Sequence, residues 1–142
     1  MNASTLRDFF LGTATADALA HDVRDAWVWR GSDSRELRMD DLTEDFHVES
    51  AHLVRVCDAV ISNRLPASAL EPIGFGLIAS DHFTWDADTD DGSRVAETLW
   101  DWSCPEVNFA LTAATAEKFR TRLLTGEDRF TSADHFKGSK PA

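Results

Sequence analysis

Between residues 43 and 63, Phe46, Leu53, Val54, Cys57, Val60 and Ile61 recur mostly at intervals of three, four and seven. That spacing gathers apolar side chains on one face of an α-helix, whereas a strand repeats its faces every two residues. A helix with one apolar face is stable in water only when another element covers that face, so the segment predicts helix-on-helix packing. Arg64-Leu65-Pro66 ends it, because the residue before a proline avoids helical geometry.

The rest of the chain supplies the partners. Ser4 or Thr5 is placed to cap a short helix carrying Leu6, Phe9 and Phe10, which Gly12 stops. Thr15 caps a second helix with Asp17 in its first turn and Leu19, Val23, Ala26 and Trp27 as its buried stripe. Residues 30–42 are polar and lack a clear period, which predicts a loop. Residues 67–81 predict a further helix, with Pro72 tolerated only if a new helical turn begins there. Ile73, Leu77 and Ile78 are its expected inward face, and Gly74 and Gly76 permit close approach. An acidic loop is expected over 82–92, then a short helix over 94–102. Val107, Phe109 and Leu111 alternate, compatible with one short extended segment near 107–111. A last helix over 112–125 buries Ala116, Phe119 and Leu123 and stops at Gly126. The expected fold is mainly α, a bundle of four to five amphipathic helices. Its single domain spans 1–126, and the polar tail over 127–142 is expected to fray.

With 25 acidic and 14 basic residues in 142, the net charge is −11. Such a surface repels nucleic acid and anionic membrane, both of which are held through cationic contacts, and attracts basic proteins. Cys57 lies in an apolar run and reads as a small buried hydrophobe, and two cysteines make no disulfide framework. There is no basic leader followed by an apolar core, and no apolar run approaches a membrane span. These features together predict a cytoplasmic protein.

The sharpest motif is Asp86-Ala87-Asp88-Thr89-Asp90-Asp91-Gly92, followed by Glu97. A helix-loop-helix calcium site takes oxygen ligands at loop positions 1, 3, 5 and 12 and a glycine at 6. Asp86, Asp88, Asp90 and Glu97 match the ligands, but the glycine is displaced by one residue to Gly92. The simpler expectation is a solvated acidic loop at the positive end of the next helix. His21, His47, His52, His82 and His135 show no zinc spacing, and neither H-E-x-x-H nor C-x-x-C occurs. There is no nucleophile elbow and no glycine-rich phosphate loop. Asp81 and His82 are adjacent, so on a helix they would point apart. No catalytic residue and no cofactor is nominated, and a small enzyme stands only as an alternative.

What remains is a surface. Asp81, Asp86, Asp88, Asp90, Asp91, Glu97, Asp101 and Glu106 crowd one stretch against the single Arg94, interleaved with Phe83, Trp85, Trp100 and Trp102. Aromatic anchors within an acidic rim suit a basic protein partner, since charge steers the encounter and a buried ring supplies affinity. The candidate contact residues are Asp81, Phe83, Trp85, Asp86, Asp88, Asp90, Asp91, Glu97, Trp100 and Asp101. Trp100 and Trp102 cannot both face the same side of one helix, so one is expected in the core and the other partly exposed.

Leu6-Arg7-Asp8-Phe9-Phe10-Leu11-Gly12-Thr13-Ala14-Thr15-Ala16-Asp17-Ala18-Leu19 runs as a short helix, a glycine, small or hydroxyl residues and a second helix opening. It resembles the start of the small helical immunity proteins of bacteriocins and related toxins, over about the first fifth of the chain. The runs Ala79-Ser80-Asp81-His82-Phe83-Thr84-Trp85-Asp86 and Asp101-Trp102-Ser103-Cys104-Pro105-Glu106-Val107-Asn108 resemble uncharacterised bacterial proteins of similar gene neighbourhood. The resemblance implies a helical bundle that blocks a secreted toxin by direct contact. Such toxins are often nucleases with basic active sites, which an acidic inhibitor suits. A calcium-responsive helical protein using the 86–97 loop is the other expectation.

Overall fold

The computed structural model describes residues 1–136. It is mainly α, with six helices: α1 (Ala3–Phe10), α2 (Ala16–Val23), α3 (Ser50–Ile61), α4 (Leu70–Ala79), α5 (Asp90–Ser103) and α6 (Ala113–Thr125). Four short strands, β1 (Trp27–Arg30), β2 (Ser34–Leu37), β3 (Phe46–His47) and β4 (Phe83–Thr84), form two two-stranded sheets. β1 and β2 are antiparallel, with Trp27 opposite Leu37 and Trp29 opposite Arg35. β3 and β4 are parallel, with Phe46 opposite Phe83.

The core forms where α3 packs on α6 and α4 on α5. Leu53, Val56 and Cys57 of α3, Ile73 and Leu77 of α4, Val95, Leu99 and Trp102 of α5, and Ala116, Phe119 and Leu123 of α6 are almost fully buried. Gly74 explains how closely α4 approaches α5: a Cβ there would lie 2.7 Å from Trp102 Cβ and 3.1 Å from the Leu99 carbonyl. Trp102 meets Phe119 edge to face at 6.0 Å. Such a pair adds about 0.5–1.5 kcal/mol beyond the area it buries. Against that gain, Trp102 Nε1 is buried with no hydrogen-bond acceptor.

α6 runs as its sequence predicts. The Thr112 hydroxyl accepts from the Thr115 N–H, and Gly126 ends the helix at φ 79°, where a Cβ would be strained. Elsewhere tertiary contacts override local pattern. α1 is entered from Asn2 rather than capped by Ser4 or Thr5. α2 stops at Val23, and Trp27, expected on its buried stripe, lies in β1 instead. Residues 30–42, expected as a loop, contain the turn and second strand of the β1–β2 hairpin, with Gly31 at φ 81°. α3 begins at Ser50, so Phe46 joins the core from a strand. Glu49 is the helix cap: its carbonyl accepts from the His52 N–H at 3.0 Å, and His52 Nδ1 accepts from the Glu49 N–H at 2.9 Å. Ile61 and Ile78, expected to face inward, are 37% and 44% exposed.

The extended segment near 107–111 is a single antiparallel bridge between Phe109 and His135. The tail expected over 127–142 folds back over 127–136. Phe130 stacks on Phe109 at 4.0 Å, and Lys118 pairs with Asp134 at 2.6 Å. Residues 137–142 lie outside the described part.

Candidate functional site: an acidic end and a buried ion pair

The ten candidate contact residues separate into two groups. β4 carries Phe83 inward, where it is 3% exposed and packs against Phe10 and Phe46. α5 carries Asp101 inward as well, where it is 5% exposed. Neither side chain is presented to a partner, because the contacts of the core already cover both. Glu97 is exposed but engaged, accepting from Arg122 Nη1 at 3.2 Å. Trp100 is 55% exposed while Trp102 is fully buried. Trp100 sits ten residues along α5 from Asp90, about 15 Å up the helix axis, and so stands apart from the acids.

The acidic end comprises Asp81, Asp86, Asp88, Asp90 and Asp91, all exposed around β4 and the start of α5, with Trp85 half-buried among them. Thr89 caps α5 by accepting from the Gly92 N–H at 3.0 Å, which places Asp90 and Asp91 in the first turn, where the helix dipole favours negative charge. Asp86 Oδ1 accepts from the Asp88 N–H at 3.0 Å. Asp91 Oδ2 accepts from the Ser50 N–H at 3.1 Å and ties the starts of α5 and α3 together.

Parallel pairing of β3 with β4 lays a second acidic stretch, Asp40, Asp41, Glu44, Asp45 and Glu49, alongside the first, with Asp41 bonded to Asp81 and Asp45 to His82. These were missed because 30–42 reads as a loop and 43–63 as one continuous helix. Asp41 accepts from the Ser80 hydroxyl at 2.5 Å, the Leu42 N–H at 2.8 Å and the Asp81 N–H at 2.9 Å. The Ser80 hydroxyl chiefly holds the Asp41 carboxyl below its ordinary value. His82 Nδ1 and Asp45 Oδ1 are 2.9 Å apart, and this hydrogen bond raises the imidazole above its ordinary value. His52, half-buried between Phe10 and Phe46, is lowered by burial. Among the described residues, Asp81, Asp86, Asp88, Asp90, Asp91, Glu44 and Glu49 form no ion pair with a basic side chain.

The calcium-loop pattern does not assemble as a loop. Asp90 and Glu97 lie two turns apart on one continuous helix, about 10 Å along its axis, and Glu97 faces Arg122. Among the described residues, no three His, Cys, Asp or Glu side chains converge on a cation-sized space.

The second charge cluster is interior. Arg122 is 3% exposed. Its Nη2 donates to Asp101 Oδ2 at 2.6 Å and to Thr98 Oγ1 at 3.4 Å, and its guanidinium lies 5.4 Å from the Phe119 ring centre and 5.2 Å from that of Phe130. Burial pushes the Asp101 carboxyl up, with the Arg122 hydrogen bond opposing. Cys57 is buried, and burial pushes its thiol far up, which suits inert packing.

No protein-family model matches this chain, and no curated protein or solved structure matches it either. Among the described residues, no helix is long and apolar enough to cross a membrane.

Proposed function

We propose that this chain is a protein-docking module whose acidic end receives a basic protein, acting as an immunity protein that neutralises a toxin by contact. One observation carries the reading: two acidic stretches, 40–49 and 81–91, lie side by side through the β3–β4 pairing, and among the described residues Asp45 alone of their carboxylates pairs with a basic side chain, His82. Unpaired like charges crowded together raise the free energy of the lone protein, and a cationic surface relieves that repulsion on binding. Complementary charge also speeds encounter and rejects acidic competitors.

The test is capture from a lysate of the source organism, with the wild-type chain and an Asp86→Asn/Asp88→Asn/Asp90→Asn variant as parallel baits. A basic protein held at low salt by the wild type, weakened at high salt and lost from the variant, supports the reading. A partner retained equally by both baits, or no partner at all, overturns it.

A further inference from the structure

Of the aromatic residues expected to anchor a partner at the acidic end, Phe83 is buried, Trp85 is half-buried against the core and Trp100 is remote. A groove of about 360 Å³ beside that end supplies an apolar anchor. Leu37, Met39, Phe75 and Ala79 line it with apolar groups, and its charged lining is Glu36, Asp40 and Asp41 against one cation, Arg35, which is already paired with Glu71. Met39 lies over Gly76, where a Cβ would come within 2.5 Å of the sulfur, so the floor depends on the missing side chain. The surrounding surface is apolar as well. Phe75 is 43% exposed and meets Trp27 edge to face, and Trp29 is 62% exposed. Asp41, by accepting from Ser80 and the Asp81 N–H, makes the groove continuous with the acidic end.

We infer that this groove takes one bulky apolar side chain from a partner segment in which lysine or arginine flanks it. Charge complementarity selects that occupant. A second copy would bring a like-charged rim against Asp40 and Asp41 on a chain of net charge −11, whereas basic neighbours pair with the rim as the apolar group enters. The inference rests on the docking reading and names the anchor which that reading lacks.

The test is selection of random peptides displayed on phage against the full chain, followed by affinity measurement with synthetic versions of the winners. Ala79→Gln fills the groove from an exposed position at the end of α4, and Met39→Gln makes the floor polar. Selected peptides should carry a large apolar residue beside lysine or arginine, and each variant should weaken them at least tenfold with its melting temperature within a few degrees of wild type. The assignment is overturned by no enrichment, by enriched peptides without basic residues, or by self-association of the wild type that Ala79→Gln abolishes. Peptides indifferent to both groove variants but lost from Asp86→Asn/Asp88→Asn/Asp90→Asn also overturn it, while leaving the acidic-end reading intact.

Discussion

Helix α5 carries carboxylates at both ends, and their fates are opposite. At its start Asp90 and Asp91 face solvent, with Asp86 and Asp88 just before them. Near its end Asp101 is enclosed and satisfied by Arg122, with Glu97 on the rim of the same pair. The two groups look alike in sequence, since a tryptophan stands directly before an aspartate in both, Trp85-Asp86 and Trp100-Asp101. They differ in what faces them: α6 presents Arg122 to one, whereas among the described residues no basic side chain lies within ion-pair distance of the other. A carboxylate's availability for a partner is therefore decided by a residue about twenty positions away and not by the local density of charge.

The comparison breaks first at the interior pair. Arg122→Ala leaves the Asp101 carboxylate buried without its cation and is expected to cost about 3–5 kcal/mol in denaturant unfolding. Arg122→Met with Asp101→Leu removes both charges and should recover most of that loss. If the single variant unfolds at the wild-type denaturant midpoint, the pair contributes nothing and the contrast fails.

At the acidic end the largest loss in stability is expected from Asp41→Ala, which removes three hydrogen bonds, two of them joining Asp41 to Ser80 and Asp81, and should cost about 1–2 kcal/mol. The pH dependence has a definite sign. Because the folded state holds the Asp41 carboxyl below its unfolded value, its stabilisation is present above the ordinary carboxylate range and disappears as pH falls through the lowered value. Asp41→Ala should therefore flatten the acid limb of a melting-temperature profile, and an unchanged limb would show that Asp41 is not its source.

Neutralising Asp86, Asp88 and Asp90 to asparagine should leave stability within about 0.5 kcal/mol of wild type, as expected for exposed positions away from the core. A large loss in thermal unfolding would mean that these acids serve the fold. The finest distinction is between two histidines. His82, raised by Asp45, adds stability below its unfolded pKa and loses it as pH rises through the higher folded value; His52, lowered by burial, does the reverse. Nuclear magnetic resonance titration should give His82 a midpoint above, and His52 one below, that of an exposed histidine. Asp45→Asn should lower the His82 midpoint, and an unmoved value would break the assignment of cause.

Local signals read well where one element decides its own ends. Thr112 and Gly126 bracket α6, and Thr15 starts α2, because caps act within a few residues. They failed where a distant strand competes. Phe46 falls seven residues before Leu53, in phase with the α3 face, yet pairs with Phe83 as a strand. The hairpin was hidden because Ser34-Arg35-Glu36 is polar on both faces; Trp27-Val28-Trp29 followed by Gly31 was the signal that could have found it. Half of the acidic end was legible for the same reason: 81–91 is contiguous, whereas 40–49 reaches it only through β3 and β4.

That pairing has a kinetic consequence. His82 and Asp45 are separated by 37 residues, with α3 and α4 in between, so closing this loop precedes any reward from its contacts. A chain emerging from a ribosome exposes the 40–49 acids well before the 81–91 acids exist to join them. The acidic end is thus a late product of folding, and a probe that binds only the joined surface would time the moment when the two halves of the chain meet.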